Sequence, residues 1–280
     1  LMKKKIAIIG SGIGGLTAAN LLIKNSDFEI IVYEKEKMLS LDEGYGIQLA
    51  PNSISILNKI GFKNVDKNDI FNPLKLNFYS NNNKICDLDL GKFNNDSIKY
   101  TTLQRSTLIE FLKNKLFTNN FRFGKEVRKV SKIKDKILIN FSDNTNDLVD
   151  YIIVSDGVFS KTKSIIEKKN ILPRFNGSVA IRTVIKFSEE FNYESKNISL
   201  IMFPNAHVVI YPINQKNDFN LVCIAREKLS QSYDIHSIIK KKILSKNKNL
   251  ENLFKADLNL WPVYVSKKPI KSIHDNVFYL

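Results

Sequence analysis

Cysteine, histidine and tryptophan are scarce in this sequence, at two, three and one among 280 residues. Cys86 and Cys223 stand far apart and match neither a metal-ligand nor a redox spacing. A disulfide framework is therefore not expected, no metal site is assigned, and reduced thiols in a cytoplasmic protein are the expectation. No apolar stretch approaches the roughly 20 residues that span a bilayer. Lys3-Lys4-Lys5 followed by Ile6 to Ile9 has the charged-then-apolar order of a signal peptide. A glycine turn interrupts it at once, and the next segment carries Asn20 and Lys24, so it is not read as one. Internal repeats and low-complexity linkers are missing. After Gly15 the only glycines two apart are Gly44 and Gly46, with Leu49 where a third would stand, so a second G-x-G-x-x-G is absent too.

Positive charge is plentiful, with 43 Lys and Arg against 28 Asp and Glu, a formal charge of +15. The lysines are scattered, gather only in short clusters such as Lys240-Lys241-Lys242, and are mixed with asparagine and isoleucine. That pattern reads as a solvated basic surface, and no nucleic-acid partner is expected. Attraction of an anionic substrate, of NADPH or of an acidic membrane surface by peripheral contact remains compatible with it.

The informative segment is the first. Ile6 to Ile9 is an unbroken apolar run, as in a parallel strand buried on both faces. Gly10-Ser11-Gly12-Ile13-Gly14-Gly15 follows, then a helix from Leu16 to Lys24 and a second apolar run, Ile30 to Tyr33, ending on Glu34. Gly10 permits a tight turn, Gly12 lets a pyrophosphate approach the backbone, and Gly15 lets the helix pack closely on the strand. Phosphates would sit at the helix N-terminus. Glu34 would accept from ribose hydroxyls and repel a 2′-phosphate, so the bound nucleotide is expected to be FAD or NAD.

Further along, Asn52 is placed to cap a helix ending at Gly61, and Leu76–Ser80 with Lys84–Leu90 read as a hairpin. A helix over Leu108–Leu116 begins near Ser106. Strands are expected at Glu126–Ile133, Lys136–Phe141 and Val149–Val154, and the segment Ser178–Arg226 is strand-rich. Helices over Ile235–Leu244 and Leu250–Lys255 precede strands near Leu260–Val265 and Asn276–Leu280. The expected fold class is α/β, a Rossmann-like FAD-binding domain interrupted by an antiparallel-sheet substrate domain. Residues 1–75, 98–177 and 265–280 would form the first domain, and 76–97 and 178–264 the second.

Four blocks in order resemble the group A FAD-dependent aromatic hydroxylases, similar to para-hydroxybenzoate and salicylate hydroxylases. They are the glycine loop with Glu34, Gly44-Tyr45-Gly46-Ile47 with Pro51-Asn52, Leu103-Gln104-Arg105 with Leu108, and Asp156-Gly157 through Lys163. The resemblance covers most of residues 6–163 and continues as echoes at Gly177–Thr183, Val208–Ile213, Asn220-Leu221-Val222 and Trp261-Pro262 with Pro269. It implies cofactor contacts from Gly10, Ser11, Gly12, Ile13, Gly15, Glu34, Lys35, Ile47, Arg105, Val127 and Asp156, Val127 through its backbone. It also implies NAD(P)H as reductant, molecular oxygen and a small aromatic or quinone-precursor substrate, hydroxylated through a flavin C4a-hydroperoxide. Arg182, His207 and Tyr211 are the substrate-facing candidates, and no catalytic base is assigned.

Lys163 departs from the family's arginine, keeping the charge but losing the bidentate fork. The family's Gly-Asp motif would follow Leu280, and Leu1 precedes Met2, so the sequence is read as a fragment truncated before that motif. The absent second glycine fingerprint argues against two-dinucleotide-domain enzymes, and the single tryptophan against Trp-x-Trp halogenases. A same-fold flavin reductase of lipid double bonds and a truncated, non-catalytic nucleotide-binding fragment stay open as alternatives.

Overall fold

A computed structural model describes residues 2–39, 41, 45–188, 193–266, 272 and 274–280. Leu1, Gly44 and Pro269, singled out in the sequence, lie outside the described residues. The chain opens with β1 (Lys4–Ile9), α1 (Ile13–Leu22) and β2 (Phe28–Glu34), followed by β3 (Gly46–Leu49), α2 (Pro51–Asn58) and β4 (Ile70–Phe71). The hairpin β5 (Lys75–Ser80) and β6 (Asn83–Asp89) leads to β7 (Thr101–Gln104), α3 (Arg105–Asn114) and β8 (Phe121–Phe123). Next come β9 (Val127–Ile133), β10 (Lys136–Phe141), β11 (Asn146–Val149), β12 (Tyr151–Val154) and α4 (Lys161–Glu167). The last part is β13 (Arg174–Lys186), β14 (Ile198–Phe203), β15 (Ala206–Pro212), β16 (Asp218–Arg226), α5 (Ile235–Ile239), β17 (Asn259–Val265) and β18 (Val277–Tyr279).

Two compact units result. The first comprises residues 1–41, 108–174 and 264–280, and the second 42–107 and 175–263. These bounds depart from the expected domains at 42–75, 98–107 and 175–177, which fall in the second unit, and at 264, which falls in the first. The reason is local: β3 is antiparallel to β7, β7 pairs β4, and the Gly46 N–H donates to Asn220 Oδ1 on β16 at 2.7 Å.

The first unit is built on a sheet in the order β18-β12-β1-β2-β8, all of whose pairs are parallel. Its central strands are buried on both faces, which is why they read as unbroken apolar runs. One face packs on β9, β10 and β11 through Ile9, Tyr33, Val127, Ile139 and Phe141. On α1 the buried Asn20 donates to the carbonyls of Leu16 and Leu112, both at 2.8 Å, tying α1 to α3. The expected strand Val149–Val154 is broken at Asp150, where the chain passes from the β9–β11 sheet to the parallel one. The Asp150 carboxylate accepts the Lys5 N–H at 2.8 Å and lies 3.2 Å from Lys4 Nζ.

In the second unit a seven-stranded sheet runs β17-β13-β16-β15-β14-β5-β6. One face carries Ile181, Val208, Ile210, Leu221 and Cys223 against Ile238, Ile239, Leu250 and Leu253. The helix expected over Ile235–Leu244 is α5 continued by a π turn at Lys240–Leu244. The other face carries Val184, Val209 and Tyr211. At the edge, every residue of β6 is exposed. Helix α2 is not capped by Asn52: Pro51 takes the first helical position and the Ala50 carbonyl accepts from Ser53 and Ile54. Proline's fixed φ and missing N–H suit that position. Gly61 ends the segment at φ +92.

Burial raises the Asp150 carboxyl, but the Lys5 N–H and the ammonium groups of Lys4 and Lys136 outweigh it and hold the group below the ordinary carboxylate range. A group depressed in this way stabilises the fold above its unfolded value, about 3.9, and that contribution disappears as pH falls through the folded value. Asp150→Ala also leaves the Lys5 N–H without its acceptor, a loss of about 1–3 kcal/mol. Urea titrations of both forms are expected to show that loss at neutral pH, with the gap narrowing below about pH 4.

Candidate functional site

Gly10, Ser11, Gly12, Ile13 and Gly15 form the turn from β1 into α1. Gly10 holds φ +102, and a Cβ there would lie 2.6 Å from the Ser155 carbonyl oxygen and 2.9 Å from Asp156 Cα. A Cβ on Gly15 would lie 2.1 Å from the Gly10 oxygen, so the helix reaches its strand only because that position is glycine. Gly12 and Gly14 differ: added Cβ atoms there meet nothing within 4 Å. The backbone at the α1 N-terminus thus fronts open space, with its first N–H groups free of side-chain caps.

Glu34, at the end of β2, points back at this loop. Its Oε2 accepts the Ser11 N–H at 2.9 Å and the Ser11 hydroxyl at 2.5 Å, and its Oε1 accepts the Glu36 N–H at 3.0 Å. Burial raises its pKa, but these donors outweigh burial and keep it below the ordinary glutamate value, hence ionised at neutral pH. The Lys35 backbone donates to the carboxylate as well, so a ribose hydroxyl would share or replace one of these donors. The neighbouring Lys35 is exposed and pairs with Glu36 at 3.6 Å. Gly124 and Lys125 donate to the carbonyls of Glu36 and Glu34, bringing the strand that starts at Val127 alongside. The Val127 side chain is core.

Asp156 follows β12, the neighbour of β1. Its Oδ2 accepts the Thr162 N–H at 3.3 Å, while Oδ1 is buried without a hydrogen-bond partner. Beside it a cleft of about 240 Å³ is lined by Gly157, Lys163 and Tyr279 among others, and Lys163 Nζ sits 4.9 Å from the Tyr279 ring centre. The first unit therefore brings together Gly10, Ser11, Gly12, Ile13, Gly15, Glu34, Lys35 and Asp156.

Ile47 and Arg105 belong to the second unit. Ile47 pairs with Leu103, and the Arg105 N–H donates to the Tyr45 carbonyl at 2.8 Å. The same unit holds the substrate-facing candidates. Strand alternation and register put Arg182, His207 and Tyr211 on one face of the seven-stranded sheet. The Arg182 guanidinium lies 5.8 Å from the Tyr45 ring centre, and Tyr45 meets Trp261 edge-on at 5.0 Å. Tyr211 is buried and shares the Gln48 side chain with Tyr100, whose hydroxyl donates to Gln48 Oε1 at 2.7 Å. Burial pushes the Tyr211 phenol well above its ordinary value, with Arg182 a smaller opposing influence, so it stays protonated. His207 stands four residues from Tyr211 along β15, about 13 Å. Burial lowers its pKa.

Gln48, Tyr100 and Asn220 are absent from the sequence-based candidates. Asn220 was legible as a polar residue inside the apolar run Phe219–Ala225. Its Oδ1 accepts the Gly46 N–H, a Cβ on Gly46 would lie 2.5 Å from its own Cβ, and its Nδ2 has no partner.

Two glycine substitutions separate packing from open space. Gly15→Ala is expected to lower unfolding free energy by about 1–3 kcal/mol through overpacking. Gly12→Ala should change it by less than about 1 kcal/mol, and thermal and urea unfolding of the two variants measure the difference.

A family model described as an NAD(P)-binding Rossmann-like domain matches residues 8–42. The 3-amino-4-hydroxybenzoate 2-monooxygenase PtmB3 of Streptomyces platensis is 27% identical over 76% of this chain and 54% of its own length. The 6-hydroxynicotinate 3-monooxygenase of Pseudomonas fluorescens is 28% identical over 66% of the chain and 48% of its own length. The chain spans about half the length of the curated relatives it matches. Among solved structures, Klebsiella pneumoniae HpxO complexed with FAD and uric acid superposes with a TM-score of 0.88 at 17% identity, over 99% of this chain and 72% of that one. A salicylate hydroxylase substrate complex gives 0.81 at 15% identity, over 99% and 72%. The chain is thus similar in sequence to monooxygenases of small aromatic rings, and it shares the fold of an enzyme solved with FAD bound.

Proposed function

We propose that this chain is the nucleotide-binding and ring-facing part of an FAD-dependent monooxygenase that hydroxylates a small aromatic substrate with NAD(P)H and molecular oxygen. The observation that carries the proposal is the loop from Gly10 to Gly15, held from behind by an ionised Glu34 and open in front at Gly12 and Gly14. That arrangement fits a dinucleotide: pyrophosphate at the α1 N-terminus, a ribose hydroxyl on Glu34, and a carboxylate that repels a 2′-phosphate. The unpartnered Oδ1 of Asp156 supports the same reading, since a buried carboxylate oxygen asks for a donor. Ser11, Ile13, Lys35 and the Val127 backbone complete the proposed contacts in the first unit, and Ile47 and Arg105 those in the second.

FAD, when bound, supplies the electron transfer and oxygen activation that no side chain here provides. The protein's own contribution is orientation and charge. Arg182 offers a cation to an anionic ring or ring substituent. Tyr211, kept protonated by burial, offers a hydroxyl whose position Gln48 fixes. His207, its pKa lowered by burial, is neutral at pH 7 and can act as an acceptor further along the face.

The test uses both this chain and its gene extended to the length of the relatives. Bound flavin absorbance, and oxygen uptake coupled to NAD(P)H oxidation on adding a hydroxylated aromatic acid, are the expected results. NAD(P)H oxidation without oxygen uptake would instead favour a reductase. Gly12→Asp should abolish flavin binding while leaving the fold intact. Arg182→Gln should weaken ring binding by about 2 kcal/mol, the worth of one charge-assisted hydrogen bond, read as a roughly thirtyfold rise in Kd by flavin-perturbation titration.

A further inference from the structure

The second unit contains a cleft of about 450 Å³ between α2, the turn Phe62–Asn64, and strands β4 and β7. Its size lies within the range of small-molecule sites, about 300–1,000 Å³. Buried Ile54 and Phe62 give it an apolar floor. Three exposed lysines, Lys63, Lys67 and Lys99, line it. Among the described residues none of the three has a carboxylate within salt-bridge distance, unlike nearby Lys216, which is held by Asp69 at 2.8 Å.

Two lining groups ask for the opposite partner. The Asn58 side chain donates to the Ser97 carbonyl at 2.7 Å, leaving its Oδ1 buried without a hydrogen-bond partner. Asp96 is the one acid of the lining. A simple anion would satisfy the lysines and leave the buried Asn58 Oδ1 unmet beside the exposed Asp96. A purely apolar ligand would satisfy neither set.

We propose that this cleft is a binding site for a small organic anion with an apolar ring body and a hydroxyl or amine donor, the chemistry of a hydroxy- or amino-substituted aromatic acid. The lysines take the carboxylate, Ile54 and Phe62 take the ring, and Asn58 Oδ1 or Asp96 accepts from the donor group. None of these residues belongs to the cofactor or ring contacts described above, so the site stands independently of the flavin reading.

The experiment is an NMR titration of the ¹⁵N-labelled chain with 4-hydroxybenzoate, benzoate and inorganic phosphate. It is run in an Arg182→Gln background so that the sheet face does not compete. Saturable shifts in amides of residues 54–72 and 96–101 are expected, tightest for 4-hydroxybenzoate and weakening with added salt. The double variant Lys63→Glu/Lys99→Glu, with native amide dispersion confirming its fold, should bind about tenfold more weakly or worse, and Lys132→Glu should not differ. Absence of saturable shifts there, unchanged affinity in the double variant, or phosphate binding as tightly as 4-hydroxybenzoate would each overturn the assignment.

Discussion

The first unit depends on one close approach, that of the Gly15 backbone to the Gly10 carbonyl. There is no room for a side chain between them. Because the approach is possible, α1 packs directly on β1, and its N-terminus opens at the end of the parallel sheet. The same constraint explains where Glu34 points. With the turn this tight, the Ser11 N–H and hydroxyl face the end of β2, and the carboxylate closes both bonds. The open α1 N-terminus and the clasp on Glu34 are therefore two products of the same short turn.

The second unit has its own version of this economy. Gly46 on β3 crosses Asn220 on β16 so closely that a methyl group would collide with the asparagine, and the amide takes the place of a packed side chain by accepting the Gly46 N–H. The strand that brings Tyr45 and Gln48 to the Arg182 and Tyr211 face is thereby fixed at one point. Side chains from distant parts of the sequence converge there without a catalytic motif of their own.

How much was legible follows from range. The β1-α1-β2 unit is a local pattern whose spacing carries its geometry, so strand, glycines, helix and acid could all be read directly. The hairpin around Asn81, which takes φ +57, was readable for the same reason. Most of what escaped depends on contacts distant in sequence. The break at Asp150 showed in the sequence only as one acid within Val149–Val154, since its cause is an N–H on β1. The α2 cap went to Ala50 because Pro51 outranked Asn52 in setting the helix start. The clustering of residues 42–75 and 98–107 with the second unit comes from short strands pairing across the chain. Gln48 and Tyr100 could not be singled out, since nothing about an exposed glutamine reveals that two tyrosines share it. His207 was readable as a sheet-face residue, and its distance from Tyr211 follows from the strand rise alone.

Strand β6 closes the seven-stranded sheet with all of its residues in solvent. An uncovered strand edge is a template for intermolecular pairing, and natural sheets protect such edges with charge. Here Lys84 and Asp87, paired at 3.3 Å, and Asp89 break up the apolar Ile85 and Leu88. The strand's polar sequence is thus best understood as a guard on solubility: its charges make the addition of another chain costly, so the sheet ends where the fold needs it to end.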